Sequence, residues 1–400
     1  MYNTRLDGLT EYPFQRLAAL LGGPAAPGNS SGDAVNMSIG EPQHTPPALL
    51  HAALEKHRAE WGKYPPTAGS PDFRAAVAAW ANHRYGLPAG FLDPERHILP
   101  VAGSREGLFM AAQLCTPPDK AGRKPTILMP NPFYQVYFGA AVMHGADPVY
   151  VPADASTGFQ PDYTSVAKAD LDRASCAYLC TPANPQGAVA SLEQLKTLIC
   201  LARAHDFVLI SDECYSEIYT GAAPAGALAA CAELGEGLAN VIVLNSLSKR
   251  SSVPGLRSGF VAGDADLIAK FSKLRAHGGA VQPMPVLAAS AALWRDETHV
   301  EENRALYRAK IDDAAKIFGN QFGFYRPAGG FFLWLDVGDG ERAAKHLWAE
   351  GRIRVLPGAY LARTAHGVNP GQRYIRVALV HDRKTAAGAL TRMNDLLGSL

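Results

Sequence analysis

The sequence predicts an α/β fold: a large domain around a mostly parallel central sheet covered on both faces by helices, and a smaller α+β domain. Two observations predict the large domain. Short β-rich runs recur from about residue 97, namely "HILPV" (97–101), "TILM" (126–129), "CAYLC" (176–180), "FVLIS" (207–211) and "VIVLN" (241–245). Segments of helical period, such as "SLEQLKTLICLARAHD" (191–206), alternate with them, and parallel strands need such crossovers. A third observation predicts the small domain: past about residue 290 the order becomes long helix, strand, helix, strand.

In chain order, "GGPAAPGNSSGD" (22–33) reads as a turn-rich surface connection, and "DFRAAVAAWANHRYG" (72–86) as a helix leading into the strand region. The five strand runs follow; apolar throughout, they are expected to be buried on both faces. Beyond them "HVEENRALYRAKIDDAAKIFG" is a long amphipathic helix, followed by "GFFLWLDV" (330–337), a helix, "IRVLPG" (353–358) and "RYIRVALV" (373–380). The expected division is 43–290 for the large domain, with 1–42 and 291–400 forming the small one.

Bulk composition narrows the function. With 38 basic against 37 acidic residues and no charge block, nothing points to nucleic acid or a lipid surface. The longest apolar runs fall far short of the roughly 20 residues that span a bilayer, and the N-terminus lacks a basic segment followed by an apolar one. The expectation is a cytoplasmic protein acting on small molecules. Six cysteines form no CxxC pair. Cys176 and Cys180 on one strand would stand roughly 13 Å apart, too far to bridge, so the thiols are expected to be reduced. No GxGxxG after a strand, no GxxxxGK[ST], no HExxH and no histidine ligand spacing occur, so no metal site is expected.

Ligands of open parallel sheets bind beyond the carboxyl ends of the strands. After "HILPV" a small-residue turn enters a helix at Ser104 and Arg105, a phosphate cradle in prospect. After "TILM" comes Tyr134, after "CAYLC" Asn184, after "FVLIS" Asp212 and Tyr215, and after "VIVLN" Ser246, Ser248 and Lys249, with Arg257 beyond. Singly these have ordinary explanations: a helix cap, turn residues, core filling, a solvated charge. Jointly they are the parts a pyridoxal 5′-phosphate site requires. Lys249 supplies a Schiff-base amine, and Asp212 a carboxylate that keeps the ring nitrogen protonated. Tyr215 and Asn184 donate to the ring oxygen, and Tyr134 stacks on the ring. Arg257 forks onto the phosphate, with Ser104 and Ser246 adding hydroxyls.

The ordered set "NPQG", "SDECYSEIY" and "SLSKRSSVPGLRSG" resembles the fold-type I pyridoxal phosphate aminotransferases of class I/II over nearly the whole chain. The resemblance implies that Gly40 in "NMSIGEP" lines the substrate carboxylate and that Arg376 in "RYIRVALV" grips it. It also implies that Tyr64 in "KYPPTAGSPDFRAAV" crosses a homodimer interface to the partner's phosphate, and that turnover is ping-pong between amino and keto acids. "YPFQRL" (12–17) and "SLSKRSSVPGLRSGFVAGD" resemble the N-succinyldiaminopimelate aminotransferases of lysine biosynthesis. That implies N-succinyl-LL-2,6-diaminopimelate and 2-oxoglutarate/glutamate as substrates. A long dicarboxylate needs a second cation, with Arg250, Arg354 and Arg363 as candidates near the motifs.

Two departures from the family pattern, Gln186 in place of Thr or Ser and Ser258 in place of an apolar residue, put the local shape of the site in question. Another aminotransferase (alanine, kynurenine or aromatic) or a carbon–sulfur β-lyase would carry nearly the same motifs. A coenzyme-sensing regulator would need a DNA-binding module, for which only about 40 residues precede "GEP".

Overall fold

A computed structural model describes residues 1–23 and 34–400, so most of the expected 22–33 connection lies outside the described residues. β1 (Val35–Asn36) precedes a seven-stranded sheet made of β2 (Ile98–Val101), β3 (Thr126–Asn131), β4 (Asp147–Pro152), β5 (Ala174–Cys180), β6 (Val208–Asp212), β7 (Val241–Ser246) and β8 (Gly259–Gly263). Their spatial order is β2-β8-β7-β6-β5-β3-β4. Only β8 runs against its neighbours.

Five of the seven strands lie where the apolar runs predict them. The other two carry weak local signals. β4 is an edge strand, half exposed and holding Pro148 and Pro152, which suits an edge and no interior position. β8, "GFVAG", is bounded by glycines because its backbone runs tight against β7. A Cβ on Gly263 would overlap Val241 O, and one on Gly259 would overlap Asn245 O.

Alternation along the buried strands feeds two helical layers. Leu209, Val241 and Val243 face one core with Trp80, Leu287 and Trp294. Val208, Ile210, Ile242 and Leu244 face the other with Tyr137, Tyr178 and Phe271. The covering helices start where the sequence places caps. Ser191 accepts from Gln194 N (3.2 Å) while Gln194 Oε1 accepts from Ser191 N (2.8 Å), opening Leu192–Ala204. Ser70 accepts from Phe73 N (3.1 Å) and opens Pro71–Tyr85, which ends at Gly86 with φ +60°.

The C-terminal third contains β9 (Phe332–Asp336), β10 (Ile353–Arg354), β11 (Leu356–Pro357) and β12 (Tyr374–Ala378). β11, β12 and β9 form an antiparallel sheet, whereas β10 pairs in parallel with β1. "IRVLPG" is therefore two short strands in different sheets. Helices Thr298–Phe318, Gly340–Gly351 and Arg383–Gly398 pack on Leu333, Leu335, Ile375 and Val377. Leu17 and Leu21 of the N-terminal segment join Trp334 and Leu356 in a neighbouring cluster. The Met284–Arg295 helix crosses residue 290, and its Leu287 and Trp294 pack with the large sheet. No described helix is long and apolar enough to cross a membrane.

Candidate active site

The carboxyl ends of β2, β3, β5, β6 and β7 open into a cavity of about 560 Å³, closed from the other side by Gly40, Phe332 and Arg376. Twelve of the thirteen site residues expected from sequence line it: Gly40, Ser104, Arg105, Tyr134, Asn184, Asp212, Tyr215, Ser246, Ser248, Lys249, Arg257 and Arg376. Tyr64 lies outside it with a fully exposed side chain.

One end of the cavity is built for an anion. The helix Ser104–Cys115 begins at Gly103 (φ +80°), presenting free N–H groups and the positive end of its dipole. Arg257 sits over that turn in a left-handed conformation (φ +54°), donating to Ala102 O (3.1 Å) and Pro254 O (3.1 Å). It is exposed and makes no salt bridge among the described residues. Glycine suits the position beneath it, because φ is +80° there and a Cβ on Gly103 would push the guanidinium aside. Ser246 caps the short helix Leu247–Arg250, accepting from Ser248 N (3.1 Å). Arg105 starts the Ser104 helix with its backbone, while its Nε turns to Tyr134 Oη (2.8 Å).

Deeper in, Asp212 ends β6 nearly inaccessible to solvent. Its Oδ2 accepts from Tyr137 Oη (2.7 Å) and its Oδ1 from Cys214 Sγ (2.8 Å). Burial pushes this carboxyl up from the ordinary aspartate value. No basic side chain hydrogen-bonds to it among the described residues, and a buried carboxylate without a cation calls for one. Tyr137 and Cys214 escaped the sequence reading. Each stands close in sequence to an identified residue, three after Tyr134 and two after Asp212, but only their orientation reveals the contact.

Lys249 lies in the helix Leu247–Arg250, and its Nζ donates to Gly40 O. Burial lowers this amine from 10.5 to about 8. Gly40 tolerates no side chain, because a Cβ would stand 2.5 Å from the Phe332 ring. Tyr215 packs edge-on to Phe331 and Phe332 at 5.5 and 5.8 Å.

Arg376 projects from the middle strand of the small sheet. It donates to Asn184 Oδ1 (3.0 Å) and Ser38 O (2.7 Å), leaves its Nε unpartnered, and rides 4.4 Å above the Phe332 ring. Burial lowers it to about 10, the mark of a guanidinium lacking a carboxylate. With Asn184 Oδ1 engaged, the amide nitrogen of Asn184 is left as the donor facing the cavity.

The three candidate cations for a distal carboxylate do not line the cavity. Arg250 is fully buried elsewhere, against Trp294 (4.8 Å) and Trp80 (5.7 Å), bonded to Leu293 O and Glu297. It is neither solvated nor a phosphate contact. Arg363 packs over Phe138 and bonds Thr10, and Arg354 lies in β10. The departures at Gln186 and Ser258 also point away from the cavity. Gln186 Nε2 donates to Ala153 O (3.0 Å), and Ser258 Oγ meets Ser290 Oγ (2.7 Å), so each buried polar group has a partner.

The chain matches the family "aminotransferase class I and II" over residues 32–393. It is similar to an aminotransferase of Neisseria meningitidis, 42% identical, covering 99% of this chain and 100% of that one with a TM-score of 0.93. The aminotransferase AspB of Helicobacter pylori is 36% identical over 98% and 100% of the two chains, with a TM-score of 0.89. Among curated proteins, an LL-diaminopimelate aminotransferase of Desulforudis audaxviator is 30% identical over 98% of this chain and 97% of its own length. The 4-dedimethylamino-4-oxo-anhydrotetracycline transaminase OxyQ of Streptomyces rimosus is 32% identical over 90% and 92%.

Proposed function

The chain belongs to the class I and II aminotransferases, which use pyridoxal 5′-phosphate, and we propose that it moves an amino group between N-succinyl-LL-2,6-diaminopimelate and 2-oxoglutarate/glutamate. The observation that carries the transfer is the convergence of Lys249, Asp212, Asn184 and Arg376 on one cavity. Its residues fit the coenzyme: an arginine over a helix N-terminus for phosphate, a buried carboxylate lacking a cation for the ring nitrogen, and an amine of lowered pKa for the aldehyde. When bound, the coenzyme supplies that aldehyde and a ring that draws electrons from the substrate's Cα.

The protein's own groups do the rest. Arg257, Ser104 and the 104–115 helix hold the phosphate, with Ser246 and Ser248 lining that end. Asp212 keeps the ring nitrogen protonated, Tyr215 and the Asn184 amide donate to the ring oxygen, and Tyr134 flanks the ring. Arg376 fixes the α-carboxylate beside Gly40, so the Cα–H is presented to Lys249, which removes and returns the proton. Tyr64, exposed on one chain, serves the phosphate of a second copy in a homodimer.

Only an unprotonated amine attacks an aldehyde. At pH 8 about half of the Lys249 amines are free, against roughly one in three hundred for a lysine of ordinary pKa. Mixing coenzyme-free protein with pyridoxal phosphate is therefore expected to develop the visible band at a rate that rises with pH and levels off just above about 8. A rate still climbing steeply at pH 10 overturns the free-amine assignment.

For the substrate, Tyr12, Pro13 and Phe14 of the "YPFQRL" segment wall part of the cavity. With Arg257 and Arg376 assigned, the Arg105 guanidinium is the lining cation left for a distal carboxylate. A second reading, LL-diaminopimelate itself, is favoured by Glu41, a lining carboxylate that would pair with a distal ammonium, and by the name of the D. audaxviator relative. Glutamate formation from 2-oxoglutarate, measured with both compounds beside alanine, kynurenine and aromatic amino acids, separates them. The expected outcome is kcat/KM at least about tenfold higher for the N-succinyl compound, about 1.4 kcal/mol of discrimination. Equal rates across the panel, or release of pyruvate and thiol from cystathionine-type donors, would sink the assignment.

A further inference from the structure

Outside the cavity, three polar side chains that the mechanism does not use, Lys310, His44 and Asn303, are joined end to end. Asn303, Tyr307 and Lys310 lie at i, i+4 and i+7 of the Thr298–Phe318 helix and so share a face. Lys310 is 1% exposed and makes no salt bridge among the described residues. Its Nζ meets His44 Nε2 at 2.9 Å and donates to His381 O at 2.9 Å. His44 Nδ1 meets Asn303 Oδ1 at 2.7 Å. Asn303 Nδ2 donates to the backbone carbonyls of Lys249 (3.0 Å) and Arg250 (3.1 Å).

The direction of this chain is fixed at one end. Backbone carbonyls only accept, so Asn303 turns its nitrogen to Lys249 and Arg250 and its oxygen to His44; His44 Nδ1 then carries the imidazole hydrogen, and Nε2 accepts from Lys310. Burial lowers His44, in keeping with a neutral ring. The two carbonyls reached are those of the last residues of the one-turn helix Leu247–Arg250, which have no partner within that helix. A second stitch runs alongside, from Ser252 Oγ to His44 O (3.0 Å). The segment from Gly40 to His44 is thus tied to the segment 249–252 at both ends, at Gly40 by the Lys249 amine itself.

We propose that Lys310, His44 and Asn303 form a positioning chain that holds the Lys249 backbone, and with it the reach of its amine into the cavity. The inference rests on Lys249 being the coenzyme-bearing residue. Loss of the chain would loosen the 247–252 turn and lower the rate of proton transfer while leaving substrate binding, which Arg376 governs, in place.

The test compares His44→Leu, which can make neither side-chain bond, with His44→Gln, whose amide can accept from Lys310 and donate to Asn303. Asn303→Ala and Lys310→Met complete the set. Hydrogen exchange of the peptide covering 247–252 is followed in coenzyme-free protein. Turnover with glutamate is measured in the loaded enzyme, per mole of bound coenzyme.

His44→Leu and Asn303→Ala are expected to exchange roughly tenfold faster in that peptide and to lose about tenfold in kcat with KM within about twofold, the scale of one lost buried hydrogen bond. His44→Gln is expected to stay near wild type. Wild-type exchange and kcat in His44→Leu, or a His44→Gln variant as impaired as His44→Leu, overturns the proposal. If His44→Leu does not fold, Lys310→Met and Asn303→Ala decide it by the same two readouts. A Lys249→Ala control that kept its visible band would instead overturn the assignment of Lys249, leaving the exchange result to stand on its own.

Discussion

Lys249→Ala is expected to remove the visible absorbance of the bound coenzyme and to lower transamination by at least about 10³-fold, within the range contributed by a positioned proton-transfer group. The size follows from the surroundings. Lys249 is the lining amine, its pKa is already brought to about 8 by burial, and no other lysine among the described residues lines the cavity. Fold stability should change little, because its Nζ has Gly40 O as its single polar partner. The same variant tests the second copy. If Tyr64 serves its neighbour, mixing Lys249→Ala chains with Tyr64→Phe chains restores one intact site per mixed dimer, and activity rises above that of either alone. Full turnover by Lys249→Ala, or no gain on mixing, refutes the respective assignment.

The parts of this site that were legible in the sequence are those carried by position along buried strands. Asp212 and Lys249 follow short, continuously apolar runs, and such runs end at the ligand side of a parallel sheet. Arg250 shows where that reasoning stops. It is adjacent to Lys249, but one residue along a helix turns a side chain by about 100°. That places its guanidinium in the Trp80–Trp294 core, a destination set by packing partners far from each other in the chain. Tyr137 and Cys214 were hidden for a related reason. Their contact with Asp212 depends on which way a helix start and a turn face, and a tyrosine near another tyrosine reads as core filling until the hydroxyl's partner is seen. β4 and β8 were missed because an edge position and a glycine-bounded antiparallel return both weaken the apolar signal.

Asp212→Asn separates two roles that a buried carboxylate combines. Toward the coenzyme it is expected to be severe. Removing one partner of a buried charge pair costs about 3–5 kcal/mol, so kcat/KM should fall roughly 10²- to 10⁴-fold, with the ring nitrogen no longer held protonated. Toward the empty fold the sign reverses. Burial raises the Asp212 carboxyl above its unfolded value, so the fold disfavours the ionised form. That penalty is absent in acid, below the unfolded pKa. It grows as pH rises toward the raised folded value and is fully present above it.

An amide carries no such penalty, and its oxygen still accepts from Tyr137, whose hydroxyl donates at 2.7 Å in the native site. Coenzyme-free Asp212→Asn is therefore expected to melt no lower than the wild type at pH 7, and adding pyridoxal phosphate should raise its melting temperature less. Differential scanning calorimetry with and without coenzyme measures both. A variant that melts well below the wild type without coenzyme, or turns over within about threefold of it, would mean that Asp212 is held there for the fold and that the ring nitrogen finds its charge elsewhere.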